Sequence, residues 1–71
     1  MANDGNVARV TEIVAGSPKS FEHAVQVGFK RASRTLRGIT NMRVSDFRCK
    51  VENGVITEYR VTLNVVFVLE S

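Results

Sequence analysis

The stretch Asn53-Gly54-Val55-Ile56-Thr57-Glu58-Tyr59-Arg60-Val61-Thr62-Leu63-Asn64-Val65-Val66-Phe67-Val68-Leu69 decides the fold. Asn53 and Gly54 both tolerate positive φ, so the pair favours a type I′ hairpin turn. Beyond the turn, Val55, Tyr59, Val61, Leu63, Val65, Phe67 and Leu69 share one parity, interrupted only by Thr57. That alternation predicts a strand from Val55 to about Leu69. Some 15 residues at about 3.3 Å each span roughly 50 Å. A compact domain of this size is only about 30 Å across. The strand therefore overshoots its own domain, and its end must curl or lie on another subunit. Val66 and Val68 add apolar side chains to the opposite face, where one protomer has no second layer to cover them. The far end of the strand is thus a candidate subunit interface.

Working outward, Met42 to Val51 predicts the strand that pairs across the turn. Met42 and Val44 hold one parity, whereas Phe47, Cys49 and Val51 hold the other. A bulge near Ser45-Asp46 would return all five to one face. Upstream, Ser17-Pro18 reads as the start of a helix, with Ser17 as N-cap and Pro18 at the first helical position. Phe21, Val25, Phe29, Ala32 and Leu36 then form one amphipathic stripe. Ala24 and Gly28 beside it suggest close approach to a neighbouring backbone. Gly38 is the expected C′ residue, and Arg34 and Arg37 complement the helix dipole. Val7 to Val14 predicts a first strand, broken by Ala15-Gly16, with Val10 and Val14 on one face and Val7, Thr11 and Ile13 on the other. The fold class is α+β: a β-α-β-β protomer whose three-stranded antiparallel sheet wraps around one helix.

A chain of 71 residues is read as a single domain, 1–71. A core that small supplies about 3–5 kcal/mol unless a disulfide, a metal or oligomerisation helps. Cys49 is the only cysteine and His23 the only histidine, so neither an intrachain disulfide nor a Cys/His zinc cage can form within the chain. Oligomerisation remains by elimination. Met1 to Asn6 is polar and lacks an apolar targeting core. No apolar run approaches the roughly 20 residues of a membrane span, and a lone thiol suits the cytoplasm.

Enzymatic chemistry finds no support. A nucleophile needs a base within reach, and Cys49 and His23 fall on different elements. Cys49 reads as a buried small hydrophobe and His23 as a partly exposed helix residue. The net charge of +3 raises the question of nucleic acid. Lys30, Arg31, Arg34 and Arg37 cluster, and three of them share a helical face, which reads as solvated. The five aromatics read as core rather than as a platform for bases.

Thr11-Glu12-Ile13-Val14 with Ser17-Pro18, Arg31-Ala32 with Thr35-Leu36-Arg37, Val44 with Phe47-Arg48, and Glu58-Tyr59-Arg60-Val61 through Val65-Val66-Phe67-Val68-Leu69-Glu70 occur in order and without gaps. Together they resemble the dodecin family over nearly the whole chain. The resemblance implies a hollow homododecamer of cubic symmetry. Many members bind riboflavin, FMN or related flavins in pairs at two-fold axes, storing or quenching rather than catalysing; some bind coenzyme A or metal ions at symmetry interfaces.

Two positions depart from the flavin-binding pattern. Asn41 stands where such members carry the tryptophan that stacks on the isoalloxazine ring, and the chain has no tryptophan. Arg60 stands where they carry a glutamine that pairs with the flavin edge; glutamine donates and accepts, whereas arginine only donates. Arg48 and Asp46 match an arginine and an acidic position common in bacterial members.

The resemblance thus implies a small-molecule store, with riboflavin or FMN as ligand and Asn41, Asp46, Arg48 and Arg60 as candidate ligand residues. The alternative is a shell without flavin that holds an anionic, coenzyme A-like ligand or cations. Asn41, Arg48 and Arg60 suit an anionic ligand better than a stacked ring, because arginine grips phosphate bidentately. No protein metal site is assigned. A nucleic-acid or protein interaction module is the third class. The blander roles are ion pairs for Arg48 and Arg60, the latter to Asp46 or to Glu58 of a neighbour, and a loop position for Asn41.

Overall fold

In the computed structural model, which describes residues 5–69, the Asn53-Gly54 turn forms as read, with φ of 53° and 77°. Most of the polar N-terminal stretch and Glu70 lie outside the described residues. The elements are β1 (Ala8–Ser17), α1 (Phe21–Thr35), β2 (Ile39–Glu52) and β3 (Val55–Val68). The sheet order is β1-β3-β2, antiparallel throughout.

β3 overshoots as expected, but at its turn end and not at the far end, where β1 and β2 flank it on both sides. The protomer measures 61 × 20 × 14 Å, with a radius of gyration of 15.3 Å, against about 11 Å for a compact chain of this length. β2 accompanies β3 along its length, but β1 pairs only with Tyr59 to Val68. The turn end of the hairpin therefore projects past both β1 and the helix.

One face of the sheet carries the core. Ile13, Leu63 and Val44 lie side by side across the three strands, followed by Ala15, Val61 and Phe47. The bulge expected at Ser45-Asp46 is present: Val44 opposes Leu63, yet Asp46 opposes Thr62. Two further shifts occur, at Thr40 and at Thr57. Each extra residue bears a hydroxyl that donates to a carbonyl across the hairpin: Thr40 to Val66 (3.4 Å), Ser45 to Thr62 (3.4 Å) and Thr57 to Lys50 (3.3 Å). A bulge disrupts the local ladder, and these side chains supply a replacement donor. The Thr57 shift also sets Ile56 rather than Thr57 opposite Val51, and Val55 opposite Glu52, which changes the face expected for Val55.

Several boundaries differ from the sequence reading. β1 does not break at Ala15-Gly16, because β3 offers partners for Ala15, Gly16 and Ser17 at Val61, Arg60 and Tyr59. Ser17 is consequently a buried strand residue rather than the N-cap. Its Oγ accepts from the Lys19 amide at 3.0 Å and lies 2.6 Å from His23 Nδ1. Ser20 is the N-cap and accepts from the His23 amide at 2.9 Å. The helix ends at Thr35 with Leu36 as its cap, so Arg37 lies beyond the last turn and Gly38 follows one residue past C′. Gly38 (φ 74°) instead turns the chain into β2, and its carbonyl accepts from the Val68 amide at 3.0 Å.

The helix stripe holds at Phe21, Val25, Ala32 and Leu36, which are in or against the core, and departs from the reading at Phe29. Ala24, Gly28 and Ala32 are buried, whereas Phe29 is 45% exposed. Close approach explains this: a Cβ at Gly28 would sit 2.6 Å from Leu63 Cδ1 and 3.0 Å from Ala15 Cβ. Small residues let the helix lie on the sheet, and larger ones are pushed to its flanks. Phe21 stays at the seam, edge-on to Phe47 and Tyr59 with both ring centroids at 5.1 Å. Beyond these rings there is no helix to cover the hairpin, so Cys49 is exposed rather than buried, as is Phe47.

Candidate functional site

The period of two along each strand assigns Asn41, Asp46, Arg48 and Arg60 to the sheet face turned away from the helix. There Asp46 opposes Thr62, Arg48 opposes Arg60, and Asn41 opposes Val66, which in turn opposes Val10. Arg48 and Arg60 are thus direct cross-strand neighbours. Like charges so placed destabilise a sheet unless neutralised.

Both are neutralised from within their own strands. Arg48 Nε donates to Asp46 Oδ2 at 2.6 Å, and Arg60 Nε donates to Glu58 Oε1 at 2.7 Å. Lys50 lies 3.8 Å from Glu52. An ion pair for Arg60 therefore exists, but to Glu58 within its own strand and not across the sheet to Asp46. Asp46 raises the pKa of Arg48 further, first through the hydrogen bond and then through its charge. These pairs are exposed and contribute little to stability; their effect is orientation. Each carboxylate takes the Nε edge, which leaves the terminal guanidinium nitrogens without a further hydrogen bond among the described residues. Arg48, Cys49, Lys50 and Arg60 line a depression of about 350 Å³ along the β2 edge.

Glu58, which the sequence reading offered as a partner only from a neighbour, and Gly16, which it did not assign, complete this arrangement. Gly16 opposes Arg60 on β1, and a Cβ there would fall 2.6 Å from Glu58 Oε2. The missing side chain makes room for the carboxylate that holds Arg60. A signal was available: Asp46-x-Arg48-x-Lys50-x-Glu52 and Glu58-x-Arg60 place acid and base two apart, which is same-face spacing on a strand.

Asn41 is not part of this cluster. It belongs to β2 rather than to a loop and lies on the same face, but Val66 and Arg60 separate it from Arg48 along β3 by about 20 Å at roughly 3.3 Å per residue. Its Nδ2 donates to Thr40 Oγ1 at 3.2 Å. No aromatic shares the face: Phe47, Tyr59 and Phe67 have the core parity, and Phe21 and Phe29 are on the helix. A larger groove of about 520 Å³ runs between β1 and α1, floored by Ile13, Ala15, Gly28 and Leu36, and holds none of the four candidates. Among the described residues no helix is long and apolar enough to cross a membrane, and no three His, Cys, Asp or Glu side chains gather as a metal-holding group.

So small a core and an uncovered hairpin end are features of a chain that associates, and the charge-ordered part of the sheet face is suited to binding. The dodecin family model matches residues 7–70. A dodecin from Thermus thermophilus is 35% identical over 67 residues, covering 94% of this chain and 97% of that protein. The structure of dodecin from Streptomyces coelicolor superposes with a TM-score of 0.90 at 35% identity, covering 97% of this chain and 99% of the other. A calcium dodecin from Mycobacterium tuberculosis, 32% identical, gives 0.79 with 90% and 91% covered. The chain belongs to the dodecin family. It is a small-molecule binding protein and not an enzyme, and its family implies homo-oligomeric assembly.

Proposed function

We propose that this dodecin forms a closed homododecameric shell which binds a phosphate-bearing small molecule at Arg48 and Arg60, with Asp46 and Glu58 orienting the two guanidinium groups. The carrying observation is the direct opposition of Arg48 and Arg60, with the Nε of each engaged. Two correctly oriented forks match phosphate oxygens. FMN and coenzyme A both offer such a group; riboflavin does not.

Flavin sequestration is supported by the family, which typically binds flavins. The aromatic-free face and Asn41 count against a stacked isoalloxazine ring. If a flavin binds, its phosphate supplies the grip. The calcium dodecin relative raises a cation alternative, but the cluster's carboxylates already face arginines. A single unpaired cysteine suits a reducing compartment, so the shell is placed in the cytoplasm.

Assembly uses the surfaces the protomer leaves bare. The hairpin end carries Val51, Val55 and Ile56, exposed at 59%, 60% and 48%. Val10 and Val68 are exposed on the outer sheet face beside Val66.

Replacing Arg60 by Gln tests the site, since it removes one fork and restores the residue usual in flavin binders. A charge-assisted hydrogen bond contributes about 1.5–3 kcal/mol. FMN or coenzyme A affinity should therefore fall by about 10- to 100-fold, with the oligomer intact. Unchanged affinity together with a less stable oligomer would reduce Arg60 to an ion-pair partner of Glu58.

A further inference from the structure

Charge is distributed unevenly along the chain. Between Glu22 and Asp46 there is no acidic residue, yet Lys30, Arg31, Arg34, Arg37 and Arg43 fall there. This one segment carries five positive charges, whereas the whole chain nets +3. From sequence alone the helical members read as a solvated face, because their pairing could not be seen. The structure separates two kinds of cation. The ion pairs among the described residues all lie on the hairpin, at Arg48, Lys50 and Arg60. Lys30, Arg31, Arg34 and Arg37 are exposed and have no carboxylate partner among the described residues.

Lys30, Arg34 and Arg31 fit within a sector of about 100° on α1, at 3.6 residues per turn. The helix C-terminus offers only about half a unit of negative charge, too little to account for this density. An anionic bilayer fits poorly as the partner. Interfacial helices bury an apolar face among lipid chains, but here that face, Ala24, Gly28 and Ala32, is spent on the sheet. Phe29 points roughly 100° away from Lys30, off the strip. What remains is a row of cations without an aromatic platform. That chemistry neutralises a phosphate backbone and reads no bases.

We propose that the C-terminal half of α1 is a docking strip for the phosphate backbone of nucleic acid. Binding is sequence-independent, and it is strengthened by repetition of the strip on every copy of the homo-oligomer. It uses the helix side of the protomer and is independent of the small-molecule site on the outer sheet face.

The test is polarisation of a labelled DNA duplex titrated with assembled protein at about 50 mM and about 200 mM salt. Three proteins are compared: wild type, the double variant Lys30→Gln with Arg34→Gln, and a charge-matched double variant, Arg9→Gln with Lys19→Gln. Light scattering verifies that each remains assembled. Wild type should bind at low salt and lose affinity by at least about tenfold at the higher salt. The strip variant should bind at least about tenfold more weakly than wild type at low salt, and the charge-matched variant within about threefold of it. No binding by wild type at low salt would overturn the proposal. So would equal losses in the two variants, which would mean net charge alone is read. Capture by phosphatidylserine vesicles at least as tight as by the duplex would transfer the strip to membranes.

Discussion

Placing Asp at position 56 should abolish assembly and take the fold with it. Ile56 opposes Val51 at the hairpin end, beyond the reach of β1 and α1. Burying one such side chain stabilises by about 1.5–3 kcal/mol, and three apolar residues share the tip. A carboxylate forced into that contact either stays charged and unpaired or prevents it forming. The protomer has little to fall back on: its buried apolar core is Val61, Leu63, Val65 and three alanines. Stability is then inseparable from association. Sedimentation of wild type at micromolar concentration should give a mass many times the 7.9 kDa protomer. Ile56→Asp should sediment near the protomer mass with its helical circular dichroism lost. A variant that assembles like wild type would move the interface away from the hairpin end.

Asn41→Trp should confer or markedly strengthen flavin binding. Asn41 lies on the outer face next to Val66 and Val10, with no ring beside it. A tryptophan there would restore the flat surface that flavin-binding dodecins use at the matching position. Stacking of bases on aromatic side chains contributes about 1–3 kcal/mol, and an isoalloxazine should behave comparably, for a gain of roughly tenfold or more. Riboflavin is the informative probe, since it lacks the phosphate that Arg48 and Arg60 would grip. Quenching of its fluorescence should report much tighter binding to the variant. Equal affinity in the two proteins would place any flavin site elsewhere.

Strand and helix identity, the hairpin turn and the Ser45 bulge were legible because each has a local cause. Alternation has a period of two, Asn53-Gly54 accepts positive φ, and a parity switch between Val44 and Phe47 demands an extra residue. The overshoot of β3 was legible from length, but not which end overshoots, because that depends on where β1 pairs along it. Helix entry was misread because Ser17-Pro18 satisfies a local capping rule that the ladder to Tyr59 overrides. Phe29 was misassigned because an apolar stripe does not reveal how closely a helix approaches its sheet. That distance is set by Gly28 against Leu63 and Ala15, a contact between residues remote in sequence. Cys49 was read as core for a related reason: its parity was right, but the helix ends short of it. In the site, Arg48 and Arg60 were identified through family resemblance. Their opposition across the hairpin, and the seat that Gly16 makes for Glu58, depend on register. Register follows from bulges at Thr40 and Thr57 that leave only a faint mark in the alternation.

The central claim is that Arg48 and Arg60 grip a phosphate rather than stack a ring. Titrating assembled wild-type protein with riboflavin and with FMN in parallel tests it most directly, because the two ligands share the isoalloxazine and differ in the phosphate. FMN should bind at least about tenfold more tightly than riboflavin, with the difference shrinking as salt is raised. Riboflavin binding as tightly as FMN, independently of salt, would contradict the account.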